Sequence, residues 1–241
     1  MKHFFLLSIL TIGMLINSCQ KKYNCQSFNS EIVSDTLSLS SFDKIQLKTQ
    51  ADVIYLQGNE QFVSIEAPEK LLEHISVSVF QNSLVIDMKH QFCYTNKQNI
   101  KLYVTTPSLN EIDIKGSGNF KVTNLLQSES LNISISGSGN FYADSISTDY
   151  ISTSISGSGD VYIAGKDTIQ EQNIKISGSG DVNSYKIPAS KTAINISGSG
   201  DCKVQTLDEL IVKISGSGDV RYIGQPLINS TITGSGSIKQ Y

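Results

Sequence analysis

One phrase recurs seven times in this chain and constrains its fold more than any other feature: Gly-Ser-Gly, preceded by β-branched residues and usually followed by Asn or Asp. Its central serines are Ser117, Ser138, Ser158, Ser179, Ser199, Ser217 and Ser235, separated by 21, 20, 21, 20, 18 and 18 residues. A near-constant period of about 20 residues signals a repeat architecture in which each unit packs on its neighbours. Two glycines from each phrase account for 14 of the chain's 18. Glycine here is therefore positional, not the mark of a flexible linker. The residues concerned are Gly116, Gly118, Gly137, Gly139, Gly157, Gly159, Gly178, Gly180, Gly198, Gly200, Gly216, Gly218, Gly234 and Gly236.

Apolar residues alternate before each phrase, as in Ile133/Ile135, Ile174/Ile176 and Val212/Ile214, and again after it, as in Phe120/Val122 and Cys202/Val204. A period of two with β-branched residues predicts half-buried strands. Regular Gly, Ser, Thr and Ile oppose a helix. Strands this short need stacking, which predicts an all-β parallel β-helix, or β-solenoid, with coils of about 20 residues. Six steps at the strand spacing give a stack of roughly 29 Å. Gly-Ser-Gly is expected at the corner of each coil, with glycine supplying a positive φ and the serines lining up as a hydroxyl ladder. Gly116→Val is then expected to damage the corner far more than a surface change. A phosphate-binding loop fits poorly, because such a loop occurs once before a helix and this phrase recurs before strands.

Before the repeats, residues 41–106 lack the phrase but carry alternating segments such as DVIYLQ and SLVIDM, with a short helical turn expected from Pro68. They read as first coils or as a cap over one end of the stack, with the Gly-Ser-Gly repeats filling 107–241. The edge beyond Ser235 is a candidate homo-oligomer surface, testable by light scattering. Residues 1–18 read as an export signal: Lys2 and His3, an apolar run from Phe4 to Ile16, then Asn17-Ser18 before Cys19. Ile16-Asn17-Ser18-Cys19 resembles the lipobox of bacterial lipoproteins, which implies acylation of Cys19 and a membrane anchor, with 19–40 as lipidated N-terminus and tether. In an oxidising envelope Cys25 and Cys93 form the one pair worth considering. Cys202 takes a slot that other repeats fill with Val or Phe, and so reads as core.

Chemistry is sparse. With 19 basic and 22 acidic side chains the chain offers no basic stripe for nucleic acid. Asp160, Asp181, Asp201 and Asp219 follow successive phrases, with Asn119 and Asn140 in the first two; stacked, they form a column. Such a column either suits the turn by bonding backbone N–H groups or holds calcium, and an unchanged melting temperature between EDTA and millimolar calcium would dispose of the ion. A polysaccharide-active enzyme would need a unique pair of carboxylates, whereas these recur. One arginine, no tryptophan and His74 beside Glu73 in a solvated turn add little to that reading. Tyr142, Tyr150, Tyr162, Tyr185 and Tyr222 recur along the repeats and suit a contact surface for a glycan or protein ligand, or else ordinary strand packing.

The segments SFDKIQL, DVIYLQGNEQFVSIEAPEKLLEHI, SLVIDMK and IKLYVTTPSLNEIDIKGSGNF, followed by the GSGD and GSGN phrases through ITGSGSIKQY, resemble the putative auto-transporter adhesin head domain, or head GIN domain. The resemblance spans about 40–241. It implies a right-handed β-helical fold on exported, often lipid-anchored bacterial proteins, and it brings no catalytic motif. The expected role is a lipid-anchored, non-catalytic binding protein of the cell envelope at the outer membrane. Whether it faces the surface or the periplasm is open, and a periplasm-facing structural or envelope-stress protein is the alternative.

Overall fold

The computed structural model describes residues 30–89 and 100–241. Alternation does produce strands. The first part of the chain forms β1 (Ile32–Thr36), β2 (Lys44–Leu47), β3 (Asp52–Gln57), β4 (Phe62–Pro68), the single turn α1 (Glu69–Leu72), β5 (Ile75–Phe80), β6 (Ser83–Met88) and β7 (Lys101–Thr106). The repeats begin with β8 (Glu111–Ile114), β9 (Phe120–Val122), β10 (Leu126–Gln127), β11 (Ser130–Ile135), β12 (Phe141–Ala143) and β13 (Ile146–Ser147). They continue as β14 (Tyr150–Ile155), β15 (Val161–Ala164), β16 (Ile169–Ile176), β17 (Val182–Ile196) and β18 (Cys202–Ile214). The last are β19 (Val220–Ile223), β20 (Leu227–Ile232) and β21 (Ile238–Gln240).

Equivalent strands of successive coils pair in parallel. Before the corner the ladder runs β8–β11–β14–β16–β17–β18–β20. After it the ladder runs β9–β12–β15–β17–β18–β19–β21. A short third side begins with β10–β13. In β17 and β18 the chain stays extended around the rear of the coil, through register shifts near Ser184–Lys191, so each forms one long strand. Every second residue points inward, as the strict alternation of exposed and buried residues in β11 and β14 shows. The interior is one continuous cluster from Phe42 to Val220.

Residues 41–106 supply both coils and a cap, in an order that chain position does not suggest. β2 lies between β6 and β8, and β3 between β7 and β9. The first coil in sequence is thus the second in the stack, and β6 with β7 lies outside it. Beyond that layer pairing turns antiparallel, with β5 on β6, β4 on β7 and β1 on β4. β1 falls within the stretch expected to be tether. Antiparallel strands and the buried Leu71 of α1 close this end of the stack, where bare parallel edges would invite pairing with other chains. The β5–β6 hairpin turns through Gln81 and Asn82, both at positive φ (49° and 60°), as a tight primed turn requires.

The corner differs from expectation in its physical reason. None of the Gly-Ser-Gly glycines has a positive φ; Gly224, at 115°, is the one glycine that does among the described residues. What glycine provides is the absence of Cβ. A Cβ on Gly157 would lie 1.9 Å from the carbonyl oxygen of Gly137, and one on Gly178 would lie 1.9 Å from that of Gly157. Successive corners stack backbone on backbone, held by main-chain bonds such as Ser138 N–H to the Gly116 carbonyl at 3.0 Å and Ser158 N–H to Gly137 at 3.0 Å. The ladder at the serines is therefore main chain, while their side chains are exposed. Thr49-Gln50-Ala51 makes the equivalent corner of the β2–β3 coil, directly beneath Gly116 and Gly118.

Candidate functional site

Two outward columns flank each inward residue just after the corner. The first is the Asn/Asp column, and the structure starts it one coil earlier than the repeats do, at Asp52. Each member's Oδ1 accepts the backbone N–H of the next member. Asn119 N–H donates to Asp52 (2.9 Å), Asp160 to Asn140 (2.7 Å) and Asp181 to Asp160 (2.8 Å). Asp201 N–H donates to Asp181 (2.7 Å), Asp219 to Asp201 (2.7 Å) and Ser237 to Asp219 (2.8 Å). At the corner the strand ladder is interrupted, and these side chains satisfy N–H groups that would otherwise lack a protein partner. This bonding accounts for the column without an ion. Among the described residues no three His, Cys, Asp or Glu side chains gather as a metal site.

The last rung has a measurable consequence. Ser237 donates to the Asp219 carboxylate from both its hydroxyl (2.9 Å) and its backbone, and with Lys239 and Arg221 nearby the Asp219 pKa is held below its ordinary value. A folded-state pKa depressed in this way contributes stability above the unfolded carboxyl pKa of about 3.9, and that stability is lost as pH falls through the folded value. Asp219→Asn, which keeps the acceptor, is expected to flatten part of the acid-side fall in melting temperature below about pH 4. Parallel melting-temperature profiles from pH 2 to 6 for the two proteins would show that the rung carries no pH dependence.

The second column lies two residues further on, across one buried residue. Strand register aligns Lys121, Tyr142, Tyr162, Asn183, Lys203, Arg221 and Lys239 in successive coils. Of the five tyrosines that suited either a contact surface or strand packing, Tyr142 and Tyr162 lie here. Tyr185 joins them through Lys186, whose Nζ lies 5.7 Å and 5.6 Å from the Tyr162 and Tyr185 ring centroids. That placement favours the ammonium and raises its pKa, chiefly through its hydrogen bond with Tyr162. Tyr150 is on the other ladder, bonded to Gln170 Oε1 at 2.9 Å, and Tyr222 packs inward against the core. The cations of this column went unremarked in sequence although their signal was there: the second residue after each Asn or Asp of the corner.

Cys202 is fully buried among the β18 core residues, and burial pushes its thiol pKa far up, so it is inert packing. Cys19, Cys25 and Cys93 lie outside the described residues. His74 Nε2 lies 3.6 Å from Glu73 Oε1, in the turn after α1.

Among solved structures the chain is similar to a putative adhesin from Bacteroides fragilis, at 25% identity and a TM-score of 0.85, over 89% of this chain and 99% of that one. It is also similar in fold to a putative lipid binding protein from Parabacteroides distasonis (24% identity, TM-score 0.76, 89% and 98% covered). A putative adhesin from Parabacteroides merdae shares the fold too (19% identity, TM-score 0.72, 89% and 98% covered). No curated protein matches the chain. The family described as "Putative auto-transporter adhesin, head GIN domain" matches residues 41–226. The chain belongs to that family, as an adhesin-like surface protein built on a β-solenoid.

Proposed function

We propose that this chain is exported, acylated at Cys19 and held at the outer membrane, where its solenoid presents a rigid surface to a glycan or protein ligand. The observation that carries the reading is the outward column of tyrosines and cations on a stack whose main chain is fixed coil by coil. Such a surface binds with little ordering cost, because the contacts are already in place. The lipobox-like Ile16-Asn17-Ser18-Cys19 supports the anchor, and the family resemblance supports coils of right-handed winding. Self-association is supported at the far end. There Leu227 and Thr231 stand in register with Glu209 and Lys213, leaving the edge strand without charge, and its Leu227 is 82% exposed.

The test is protease or antibody accessibility on intact and permeabilised cells, together with membrane partitioning of Cys19→Ala. The expected result is exposure on intact cells and release of the variant from the membrane fraction. Protection until permeabilisation would replace adhesion with the periplasm-facing structural or envelope-stress reading. Unchanged partitioning of Cys19→Ala would sink the anchor.

A further inference from the structure

Near its far end the cation column borders a cavity of about 140 Å³ lined by Asn183, Tyr185, Lys203, Arg221, Ile223 and Tyr241, floored by Val204. It lies on the side of the column away from the aspartates, and no Asp or Glu side chain lines it. Three features of it bear on a ligand. Lys203 and Arg221 sit in adjacent coils, and neither closes a salt bridge among the described residues. Oδ1 of Asn183 is buried without a hydrogen-bond partner, and a buried acceptor left unpaired is costly. Tyr185 and Tyr241 supply ring faces. A cavity of roughly 150 Å³ holds a ring of benzene's size, so a sugar ring would seat one face here and keep its outer hydroxyls in solvent.

We propose that this cavity is a binding site for a carboxylated six-membered sugar ring of the hexuronate class. Arg221 and Lys203 donate to the carboxylate in charge-assisted hydrogen bonds, which Arg makes in bidentate form. A ring hydroxyl donates to the orphan Oδ1 of Asn183, and the apolar face of the ring lies on the tyrosines. The chemistry requires both elements at once. An anion without hydroxyls leaves Asn183 unpaired, and a neutral sugar offers the two cations no counter-charge. The strand edge continues to Lys239, so a linear acidic polysaccharide gains a further cation from the neighbouring coil. The inference deepens the binding reading above, yet it is independent of which side of the membrane the protein faces.

Calorimetric titration of the full chain in mild detergent with galacturonate and trigalacturonate, against glucose and polyglutamate, tests it. The expected result is saturable binding of both uronates, no binding of glucose and none of polyglutamate. Arg221→Ala, Lys203→Ala and Asn183→Leu each weaken galacturonate by about tenfold or more, the effect of one lost polar contact to a charged or buried partner. Lys175→Ala, an exposed cation of β16 on the ladder before the corner and off this column, leaves binding unchanged. All four substituted positions face outward, and unaltered circular dichroism melts confirm that each variant folds. Equal binding of polyglutamate would reassign the site to generic anion or acidic-peptide attraction and overturn the proposal, as would an absence of uronate binding. Asn183→Leu that melts higher and binds galacturonate as before would remove the hydroxyl contact. Loss of this site would leave adhesion standing, and a protease-protected protein would leave this site standing.

Discussion

Gly157→Ala is expected to abolish cooperative folding or to lower stability by more than about 4 kcal/mol, the range reserved for strained or broken cores. The reason is geometric. The added Cβ falls 1.9 Å from the Gly137 carbonyl oxygen, and 2.7 Å and 2.8 Å from the Ser136 carbonyl oxygen and carbon. Those atoms are main chain, and the corner's own bonds pin them, with Ser158 N–H on Gly137 at 3.0 Å and Ser156 N–H on Ile135 at 2.9 Å. Relief requires the two coils to part, which breaks the ladders on both sides. Ser158→Ala, one residue on and exposed, is the matched control and should stay within about 0.5 kcal/mol. Chemical denaturation of both variants checks the pair. A melt for Gly157→Ala within a few degrees of the parent would show that the corner does not need glycine for close approach.

Phe120→Ala is expected to cost about 3–5 kcal/mol, the range for removing a fully buried aromatic ring. Phe120 is the middle of a buried stack, with its centroid 5.9 Å from that of Tyr55 in β3 and 5.7 Å from that of Phe141 in β12. It joins the first coil in sequence to the repeats, at the junction where chain order and stacking order part. In a solenoid, stability is carried by interfaces between neighbouring coils, so the damage falls on the joint itself. A guanidinium titration should show both a lower midpoint and a loss of the single transition shared by the two parts. Phe120→Leu, which refills most of the volume, should recover more than half of the loss. A change below about 1 kcal/mol for Phe120→Ala would mean that the ring stack does not hold the two parts together.

The period of the Gly-Ser-Gly phrase and the alternation around it determined the coil, the inward residues and the axis of stacking. All three are local: period-two burial and a 20-residue repeat can be read from neighbours along the chain. The same holds for Cys202, whose slot among Val and Phe marked it as core. Location of the Asn/Asp column was legible as well, because one column per repeat follows from the period.

Other features were decided by pairing across the stack. That β2 and β3 insert between β6/β7 and β8/β9 depends on which edges meet over separations such as Lys44 to Glu111, and nothing in either local segment specifies it. The role of the glycines was also tertiary. Gly116 and Gly137 have backbone angles open to other residues, and only the carbonyl of the coil beneath forbids a side chain. For the aspartates the sequence allowed either backbone bonding or an ion, and the stack commits one acceptor of each to an N–H about 20 residues away in sequence. The cavity has the same origin. Asn183, Lys203 and Arg221 belong to three different coils, and only parallel register, at roughly 4.8 Å per step, brings an unpaired amide and two cations to one place.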